Sequence, residues 1–296
     1  MHIRGCGIIG EVVGTALQMG MNMGIDNITL NNGVQIPQLG LGVFQTPSGE
    51  VTVEAVREAL KTGYRHIDTA MIYHNEESVG EGIRQSGVAR EEIFVTTKLW
   101  NDDVRAGRAK EAFEESLKRL GLDYVDLYLI HWPADGWEKA WEQLQELAKE
   151  KRVRAIGVSN FQQHHLERLL SMSDVVPAAD QIESSPQFAN QELIDFAHSK
   201  GIAIEAWSPL GGTGGNLLSD PRLAPIAEHH GKSAAQVVIR WHLQRGVIVL
   251  PKSTHAERIR QNFDVADFTL DDQEMAAINA IDTGKRNGAD PDNFNF

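Results

Sequence analysis

The stretch Ile93-Phe94-Val95-Thr96-Thr97-Lys98 is a short β-rich run that ends on a charged side chain. A helical stretch, residues 106–120, separates it from a second β-rich run, residues 125–131, which also ends on a polar side chain. A strand, a helix and a second strand in this order form the repeating unit of α/β folds. This part of the chain therefore predicts a βαβ unit.

The same unit recurs along the chain. Eight β-rich runs lie at residues 39–43, 66–68, 93–98, 125–131, 153–158, 178–182, 202–207 and 247–250. Eight helical stretches alternate with them, at residues 49–61, 76–85, 106–120, 137–150, 162–170, 191–199, 233–243 and 256–263. This count predicts an α/β protein of the (β/α)8, or TIM, barrel class. A doubly wound open sheet is the alternative, but no Gly-rich turn follows the first run.

Several segments lie outside this repeat. An Asn32-Gly33 turn between two short apolar runs predicts an N-terminal β-hairpin. Residues 218–229 and 271–281 predict two extra helices, and residues 284–296 form a polar tail. Because no Pro/Ser-rich break interrupts the chain, we expect residues 25–296 to form a single barrel domain. Residues 1–24 are then an N-terminal extension, whose Gly-x-Gly-x-x-Gly pattern lacks the preceding strand that a dinucleotide site needs.

Charge and composition limit the classes of partner. The chain has 28 basic and 41 acidic residues, a formal net charge of -13, which argues against nucleic acid or an anionic membrane as partner. Cys6 is the only cysteine, so an intramolecular disulfide and a thiolate-rich metal site are excluded. No apolar run approaches the roughly 20 residues that a spanning helix needs. We expect a monomeric cytoplasmic protein with no bound metal.

Four side chains that could take part in acid–base chemistry lie at or just after three successive strand ends: Asp68, Tyr73, Lys98 and His131. In a barrel, the carboxyl ends of the strands meet on one rim, where catalytic residues collect. A buried lysine needs a carboxylate partner, and Asp68 on the adjacent strand is suitably placed. We expect the ammonium group of Lys98 to lower the pKa of Tyr73 toward neutrality, which would make the phenol a proton donor. His131 could orient a carbonyl oxygen by hydrogen bonding.

These residues lie in motifs that resemble those of the aldo-keto reductases. The motifs follow the family order from about residue 28 onward: Asp68-Thr69-Ala70-x-x-Tyr73-x-Asn75-Glu76, Thr97-Lys98-Leu99-Trp100, His131-Trp132-Pro133, Gly157-Val158-Ser159-Asn160-Phe161 and Pro251-Lys252-Ser253. The resemblance implies a (β/α)8 barrel that reduces a carbonyl group to an alcohol with hydride from NADPH. Within the family, the chain looks most like the prokaryotic 2,5-diketo-D-gluconic acid reductases. That likeness implies small α-dicarbonyls and keto-sugar acids as substrates.

The resemblance also implies which residues hold the cofactor. Three polar residues match positions that bind the nicotinamide carboxamide: Ser159, Asn160 and Gln181. Trp207 matches the aromatic position that stacks on the nicotinamide ring, and Ser208 and Leu210 follow it on the same loop. A basic segment at the start of the last barrel helix matches the pocket for the adenosine 2′-phosphate and adenine: Lys252, Ser253, Thr254, Arg258, Gln261 and Asn262. A helix N-terminus with basic side chains favours an anion, so NADP(H) is predicted over NAD(H).

Three positions depart from the usual family pattern: Asp180 in place of asparagine, Ser185 in place of histidine, and Gln261 in place of glutamate. They affect the predicted affinity for the cofactor rather than the type of reaction. For the substrate, Phe44, Trp100 and Trp132 are predicted to form apolar pocket walls beside His131.

Two other functions are compatible with a barrel. The first is a non-catalytic NADP sensor or regulatory subunit, against which the complete set of four catalytic positions argues. The second is a metal-dependent hydrolase with His66, Asp68 and His131 as ligands. The chain contains no His-x-His pattern, which argues against that reading.

Overall fold

The computed structural model describes residues 25–212 and 215–296, so the predictions for residues 1–24 lie outside the described residues. An antiparallel hairpin comes first, formed by β1 (Asn27–Thr29) and β2 (Gln35–Pro37). Eight strands then pair in parallel and in chain order: β3 (Leu41–Gly42), β4 (His66–Asp68), β5 (Phe94–Leu99), β6 (Val125–Ile130), β7 (Val153–Ser159), β8 (Ala179–Glu183), β9 (Ala203–Trp207) and β10 (Ile248–Val249).

Helices surround these strands. They are α1 (Glu50–Thr62), α2 (Glu76–Ser86), α3 (Asn101–Ala106), α4 (Ala109–Leu120), α5 (Trp137–Lys149), α6 (Gln163–Met172), α7 (Gln191–Ser199), α8 (Leu223–His230), α9 (Ala234–Gln244), α10 (Ala256–Phe263) and α11 (Asp272–Asn279). Both predicted extra helices are present, as α8 and α11. The described helices include none that is both long and apolar enough to cross a bilayer.

The first and last strands meet, which closes the sheet into a barrel. Leu39, just before β3, bridges in parallel to Val249 of β10. The backbone N–H of Gly40 donates to the carbonyl of Val249 at 2.9 Å, and that of Gly42 donates to Pro251 at 3.1 Å. The predicted (β/α)8 barrel is thus confirmed, and the open doubly wound sheet was the wrong alternative.

A glycine is required at this seam. A Cβ atom on Gly40 would lie 2.8 Å from the ring of His66 and 2.8 Å from a methyl group of Leu250. Real Cβ atoms do not approach neighbours this closely, because van der Waals repulsion forbids it. The two strands therefore come together only with a bare backbone at position 40.

Burial explains why these segments are strands and helices. All residues of β5 and β6 are buried, as expected for parallel strands that are covered on both faces. On α4, the buried residues Ala109, Ala112, Phe113 and Leu117 recur every three or four positions and face the sheet. The hairpin seals the opposite end of the barrel, where Leu30 joins an apolar cluster with residues from the strands. The rim at the carboxyl ends of the strands is left for the functional site.

One predicted boundary was wrong. The helix predicted over residues 106–120 is α4, which begins only at Ala109, and a separate short helix that was not predicted, α3, precedes it at Asn101–Ala106. Gly107 ends α3 with a left-handed backbone (φ 65°), which a helix interior does not allow. Because α3 follows the end of β5 after a single residue, Asn101 and Arg105 lie near the rim.

Candidate active site

The four predicted catalytic side chains come together on the rim. Asp68 ends β4, Lys98 lies near the end of β5, and His131 follows β6 directly. Tyr73 ends a short 3-10 turn, Met71–Tyr73, on the loop after β4. Because β4, β5 and β6 are consecutive neighbours in the sheet, their ends place these groups side by side.

Lys98 is the centre of this group and is completely buried. Its Nζ atom donates to both carboxylate oxygens of Asp68 at 2.8 Å and to the carbonyl of Thr69 at 2.8 Å. The hydroxyl oxygen of Tyr73 lies 3.5 Å from the same nitrogen. Asp68 therefore compensates the buried ammonium charge, as the sequence predicted.

Nearby charges and burial shift the pKa values of Lys98 and Tyr73 in opposite directions. Burial alone would lower the pKa of Lys98, but the carboxylate of Asp68 raises it above its ordinary value, so Lys98 remains an ammonium ion. For Tyr73, burial raises the pKa more than Lys98 lowers it. The prediction that Lys98 brings this pKa toward neutrality was therefore wrong, because desolvation of the phenolate was not counted. The phenol keeps its proton at neutral pH.

His131 is a neutral imidazole. Burial and the nearby Lys98 charge hold its pKa well below the ordinary value for histidine. Its ring meets that of Tyr73 edge-on at 5.7 Å between centroids, and that of Trp100 at 5.3 Å. Its Nδ1 atom is buried without a hydrogen-bond partner among the described residues. A neutral imidazole can still donate one hydrogen bond, which suits a carbonyl oxygen as acceptor.

A buried polar network below these residues was not predicted. Gln181 donates through Nε2 to Asp68 Oδ2 at 2.9 Å and to Glu205 Oε2 at 2.8 Å. Glu205 lies in the middle of β9 and is fully buried. Its signal in the sequence is a single carboxylate inside the otherwise apolar run Ala203-Ile204-Glu205-Ala206-Trp207. Such a residue is costly to bury, so it warrants a search for a partner.

The predicted nicotinamide residues form a connected group on β7, β8 and β9. Ser159 donates to the carbonyl of Gln181 at 2.8 Å, and Asn160 Nδ2 donates to the carbonyl of His131 at 3.0 Å. Trp207 donates from its indole nitrogen to Asn160 Oδ1 at 2.9 Å, which fixes the plane of the half-buried ring. Asn160 and Ser208 have left-handed backbones (φ 63° and 50°), a conformation that concentrates at functional sites. Leu210, three residues after Trp207, is partly buried against the core.

The predicted phosphate end differs, because it lies on the surface. Lys252 and Arg258 are exposed, and neither makes an ion pair with any residue in 25–212 or 215–296. Ser253 is buried and accepts from the backbone of His255 at 3.1 Å just before α10. Of the remaining predicted residues of this segment, Thr254 precedes α10, and Gln261 and Asn262 lie in its second turn.

Aromatic rings form the predicted substrate walls, with a contribution that the sequence analysis missed. Phe44 is 54% exposed and packs on Tyr73 at 5.0 Å, as predicted for a rim residue. The rings of Trp100 and Phe296 stack in parallel with 5.8 Å between their centroids. The ring of Trp132 contacts those of Phe294 and Phe296, with 5.2 Å between centroids in each case. Describing residues 284–296 as a polar tail was therefore incomplete. The closing Phe294-Asn295-Phe296 pattern was the available signal.

Polar contacts hold this tail across the rim. Asn101 and Arg105 of α3 donate to the main-chain oxygen of Phe296 at 3.0 and 2.8 Å. At the other end of the tail, Glu183 accepts from the backbone of Asn287 and Gly288 at 2.7 and 3.1 Å. A Cβ on Gly288 would lie 2.3 Å from the indole of Trp207, so only glycine fits there. The tail thus spans from the predicted nicotinamide residues to the predicted substrate walls.

The departures from the family pattern have structural consequences at Asp180 and Ser185. Asp180 is fully buried, accepts from the backbone of Phe161 at 3.4 Å, and leaves Oδ2 without a partner among the described residues. Burial raises its pKa well above the usual range, so it is a neutral acid. Ser185 exchanges backbone hydrogen bonds with Phe188, while its buried hydroxyl is likewise unpartnered.

The geometry does not favour the metal-hydrolase alternative. His66 has one ring nitrogen 3.3 Å from the carbonyl of Pro37 and the other 3.1 Å from the hydroxyl of Thr96. In the described part of the chain, only two other sets of side chains bring three ligand atoms within 4.8 Å of one another: His164, His165 and Asp292, and His229, His230 and Glu274. The proposed set of His66, Asp68 and His131 is not among them.

Comparison with known proteins settles the family. Residues 38–283 match the Aldo/keto reductase family. The chain belongs to this family. Glyoxal reductase from Bacillus subtilis is 50% identical over 272 residues, covering 92% of this chain and 98% of that protein. Methylglyoxal reductase DkgA from Escherichia coli is 47% identical over 270 residues, covering 90% and 97%.

Solved structures agree with the sequence relatives. A Bombyx mori aldo-keto reductase in complex with NADP superimposes with a TM-score of 0.83 at 40% identity, covering 89% of this chain and 94% of that one. The family predicted from the motifs is therefore confirmed. The narrower likeness to 2,5-diketo-D-gluconic acid reductases stays a prediction.

Proposed function

We propose that this aldo/keto reductase uses NADPH to reduce small aldehydes and α-dicarbonyls to alcohols, with Tyr73 as proton donor. The observation that carries the proposal is the Lys98 cluster. A buried ammonium group touches both the carboxylate of Asp68 and the hydroxyl of Tyr73. The relatives named glyoxal reductase and methylglyoxal reductase support this substrate class, and keto-sugar acids such as 2,5-diketo-D-gluconate belong to the same proposal.

Two observations fit NADP(H) as the cofactor. At one end, the half-buried indole of Trp207 is held flat by Asn160, beside the polar group that includes Ser159 and Gln181. At the other end, the exposed charges of Lys252 and Arg258 have no carboxylate partner in the described ranges, which suits a 2′-phosphate. The structure of a relative with bound NADP supports the same choice.

The chain's own residues then have distinct tasks. Bound NADPH supplies the hydride that reduces the carbonyl carbon. His131, as a neutral imidazole, orients the carbonyl oxygen by hydrogen bonding and adds no competing charge. Tyr73 gives its proton to that oxygen as negative charge develops there. Lys98 stabilises the phenolate that remains, and Asp68 keeps Lys98 charged and in place.

The raised pKa of Tyr73 is consistent with this task. An alkoxide is a much stronger base than a phenolate, so a tyrosine with a raised pKa still donates downhill. Because the pKa is raised, the protonated form persists through neutral and mildly alkaline pH. We therefore expect reduction to lose rate only at strongly alkaline pH. The aromatic walls, Phe44, Trp100 and Trp132 with Phe296, help to exclude water from the reacting oxygen.

The test is NADPH oxidation by purified protein with glyoxal and methylglyoxal, compared between wild type and Tyr73→Phe. Removing the donor should lower kcat by about 10²- to 10⁴-fold, the usual contribution of a general acid. NADPH affinity should stay within about twofold, since the cofactor residues are untouched. Tyr124→Phe is the matched control, because Tyr124 lies at the other end of β6, under Arg90.

Near-normal turnover of Tyr73→Phe would show that another group is the acid. If wild-type protein binds NADPH but none of the carbonyl compounds tested causes its oxidation, the sensor function replaces the reductase. An unchanged rate after chelator treatment would also remove the metal-hydrolase alternative.

A further inference from the structure

Glu205 is a fully buried carboxyl group that the reaction described above does not use. It lies on β9 and accepts a hydrogen bond at Oε2 from Gln181 Nε2 at 2.8 Å. Gln181 itself is on the neighbouring strand, β8, and belongs to the predicted nicotinamide site. Glu205 therefore lies one hydrogen bond away from a group that is assigned to hold the cofactor.

The two donors of the Gln181 amide are both in use. Its Nε2 atom donates to Asp68 Oδ2 at 2.9 Å and to Glu205 Oε2 at 2.8 Å. A side-chain amide has only two N–H groups, and its carbonyl oxygen accepts but cannot donate. Rotating the amide by half a turn would place that oxygen against two carboxyl groups. The pair of acceptors thus fixes the amide with Oε1 turned away from both of them.

Glu205 accepts this hydrogen bond from Gln181 as a neutral acid rather than as a carboxylate. Its Oε1 atom has no hydrogen-bond partner among the described residues, and the nearest basic atom is His66 Nε2 at 3.8 Å. The other nitrogen of His66 faces the carbonyl of Pro37, which can only accept, so that nitrogen carries the hydrogen. His66 Nε2 is then an acceptor toward Thr96 and cannot donate to Glu205.

A buried carboxyl oxygen without a donor favours the neutral acid. Burial and the charge of Asp68 raise the pKa of Glu205 to about 8, in agreement with that geometry. Lys98 consequently has a single carboxylate partner, Asp68, while Glu205 serves as a neutral hydrogen-bond acceptor.

We propose that Glu205 is a positioning residue for the cofactor, which holds Gln181 with its carbonyl oxygen available to the nicotinamide carboxamide. The same hydrogen-bonded chain connects Gln181 to Asp68 and from there to Lys98. Cofactor contact and the proton-donor cluster therefore share one support inside the barrel. This inference rests on the proposed NADPH-dependent reduction.

The test compares Glu205→Met, which keeps the volume but removes the acceptor, with Glu205→Gln, which keeps an acceptor oxygen. Binding of NADPH is measured by fluorescence, and adenosine 2′,5′-bisphosphate serves as the probe for the phosphate end alone. We expect Glu205→Met to weaken the binding of NADPH about tenfold, which corresponds to the loss of one correctly directed hydrogen bond in a buried site. The affinity of Glu205→Met for the bisphosphate should change by less than about twofold. The affinity of Glu205→Gln for NADPH should stay within about twofold of wild type.

A second background separates positioning from general damage. In a Gln181→Met protein, adding Glu205→Met should weaken NADPH no further, because the partner through which Glu205 acts is absent. Equal weakening of NADPH and the bisphosphate, or full additivity of the two substitutions, would overturn the proposal. If Glu205→Met does not fold, Glu205→Thr replaces it, since threonine is too short to reach Gln181. A tenfold weakening in Glu205→Gln would also overturn the proposal.

The outcome is distinguishable from failure of the proposed function. Wild-type protein that neither binds NADPH nor oxidises it with glyoxal removes the reductase assignment itself. An active wild type with unchanged NADPH affinity in Glu205→Met removes only the role of Glu205.

Discussion

The two ends of the site are built in opposite ways. At the proton-donor end, Lys98 is completely buried and all of its contacts are within the protein. At the predicted phosphate end, Lys252 and Arg258 are exposed and make no ion pair with the residues described. The first end is assembled as part of the barrel core, whereas the second is exposed, as the proposed 2′-phosphate site requires.

From this contrast we expect the preference for the cofactor, but not catalysis, to change independently of folding. A buried ion pair that loses one partner leaves an uncompensated charge, so catalysis and stability are linked at Lys98. An exposed cation without a partner contributes little to folding, so the phosphate end can change with only a binding effect. The predictions below test this contrast.

The largest effect is expected for Lys98→Met. The substitution should lower kcat for glyoxal by about 10³-fold or more, because the phenolate of Tyr73 loses its stabilising charge. It should also lower the free energy of unfolding by about 3–5 kcal/mol, since Asp68 loses its buried counter-ion. Steady-state kinetics and urea unfolding measure the two quantities.

Lys252→Met is the matched control for that experiment, because it removes an exposed lysine from the other end. Its free energy of unfolding should match wild type within about 0.5 kcal/mol. Equal stability losses in the two variants would contradict the proposed contrast.

An intermediate effect is expected for Lys252→Ala combined with Arg258→Ala. NADPH should bind about 10- to 100-fold more weakly, because two charged contacts to the 2′-phosphate are removed. NADH, which lacks that phosphate, should bind within about twofold of wild type. Titration of both cofactors by fluorescence checks the difference, and the loss for NADPH should shrink at high salt.

Arg260→Ala controls for the general loss of positive charge on α10. Arg260 is exposed on the same helix but is already paired with Glu58. It should leave the preference for NADPH unchanged. A similar loss for NADH and NADPH in the double variant would mean that the 2′-phosphate is bound elsewhere.

The smallest effect is expected at the substrate wall. Phe296→Ala removes the ring that stacks on Trp100 and meets Trp132 edge-on. We expect KM for methylglyoxal to rise about three- to tenfold with kcat nearly unchanged, because apolar contact area is lost but the acid is not. Phe196→Ala, on the outer helix α7, is the control. A fall in kcat without a change in KM would place Phe296 closer to the chemistry than we propose.

The sequence was sufficient for the barrel because each strand and each helix has its own local signal. The run from Ile93 to Lys98 consists of aromatic and β-branched residues until its last residue, and the observed strand β5 covers nearly the same span. The pairing of Asp68 with Lys98 was also predictable, since a lysine at the end of a core strand requires a carboxylate on a neighbour.

Other features could not be predicted because they depend on three-dimensional surroundings. The direction of the Tyr73 pKa shift is set by the balance between burial and charge, and burial is not readable from a motif. The contact between Phe296 and Trp100 joins distant parts of the chain, and no periodicity indicates it. Glu205 had a signal, a carboxylate in an apolar strand, but its partner Gln181 emerges only from strand order.

The seam that closes the barrel also has a consequence for how the protein folds. Gln38, next to the first barrel strand, donates to the carbonyl of Leu243 across 205 positions of sequence, while the neighbouring strands in between pair through much shorter connections. Long loops are costly to close and slow to form, so we expect the in-order strands to associate first and the seam to form last. A chain still emerging from the ribosome would then present two unpaired strand edges until β10 is released and pairs, and this interval is when aggregation is most favoured.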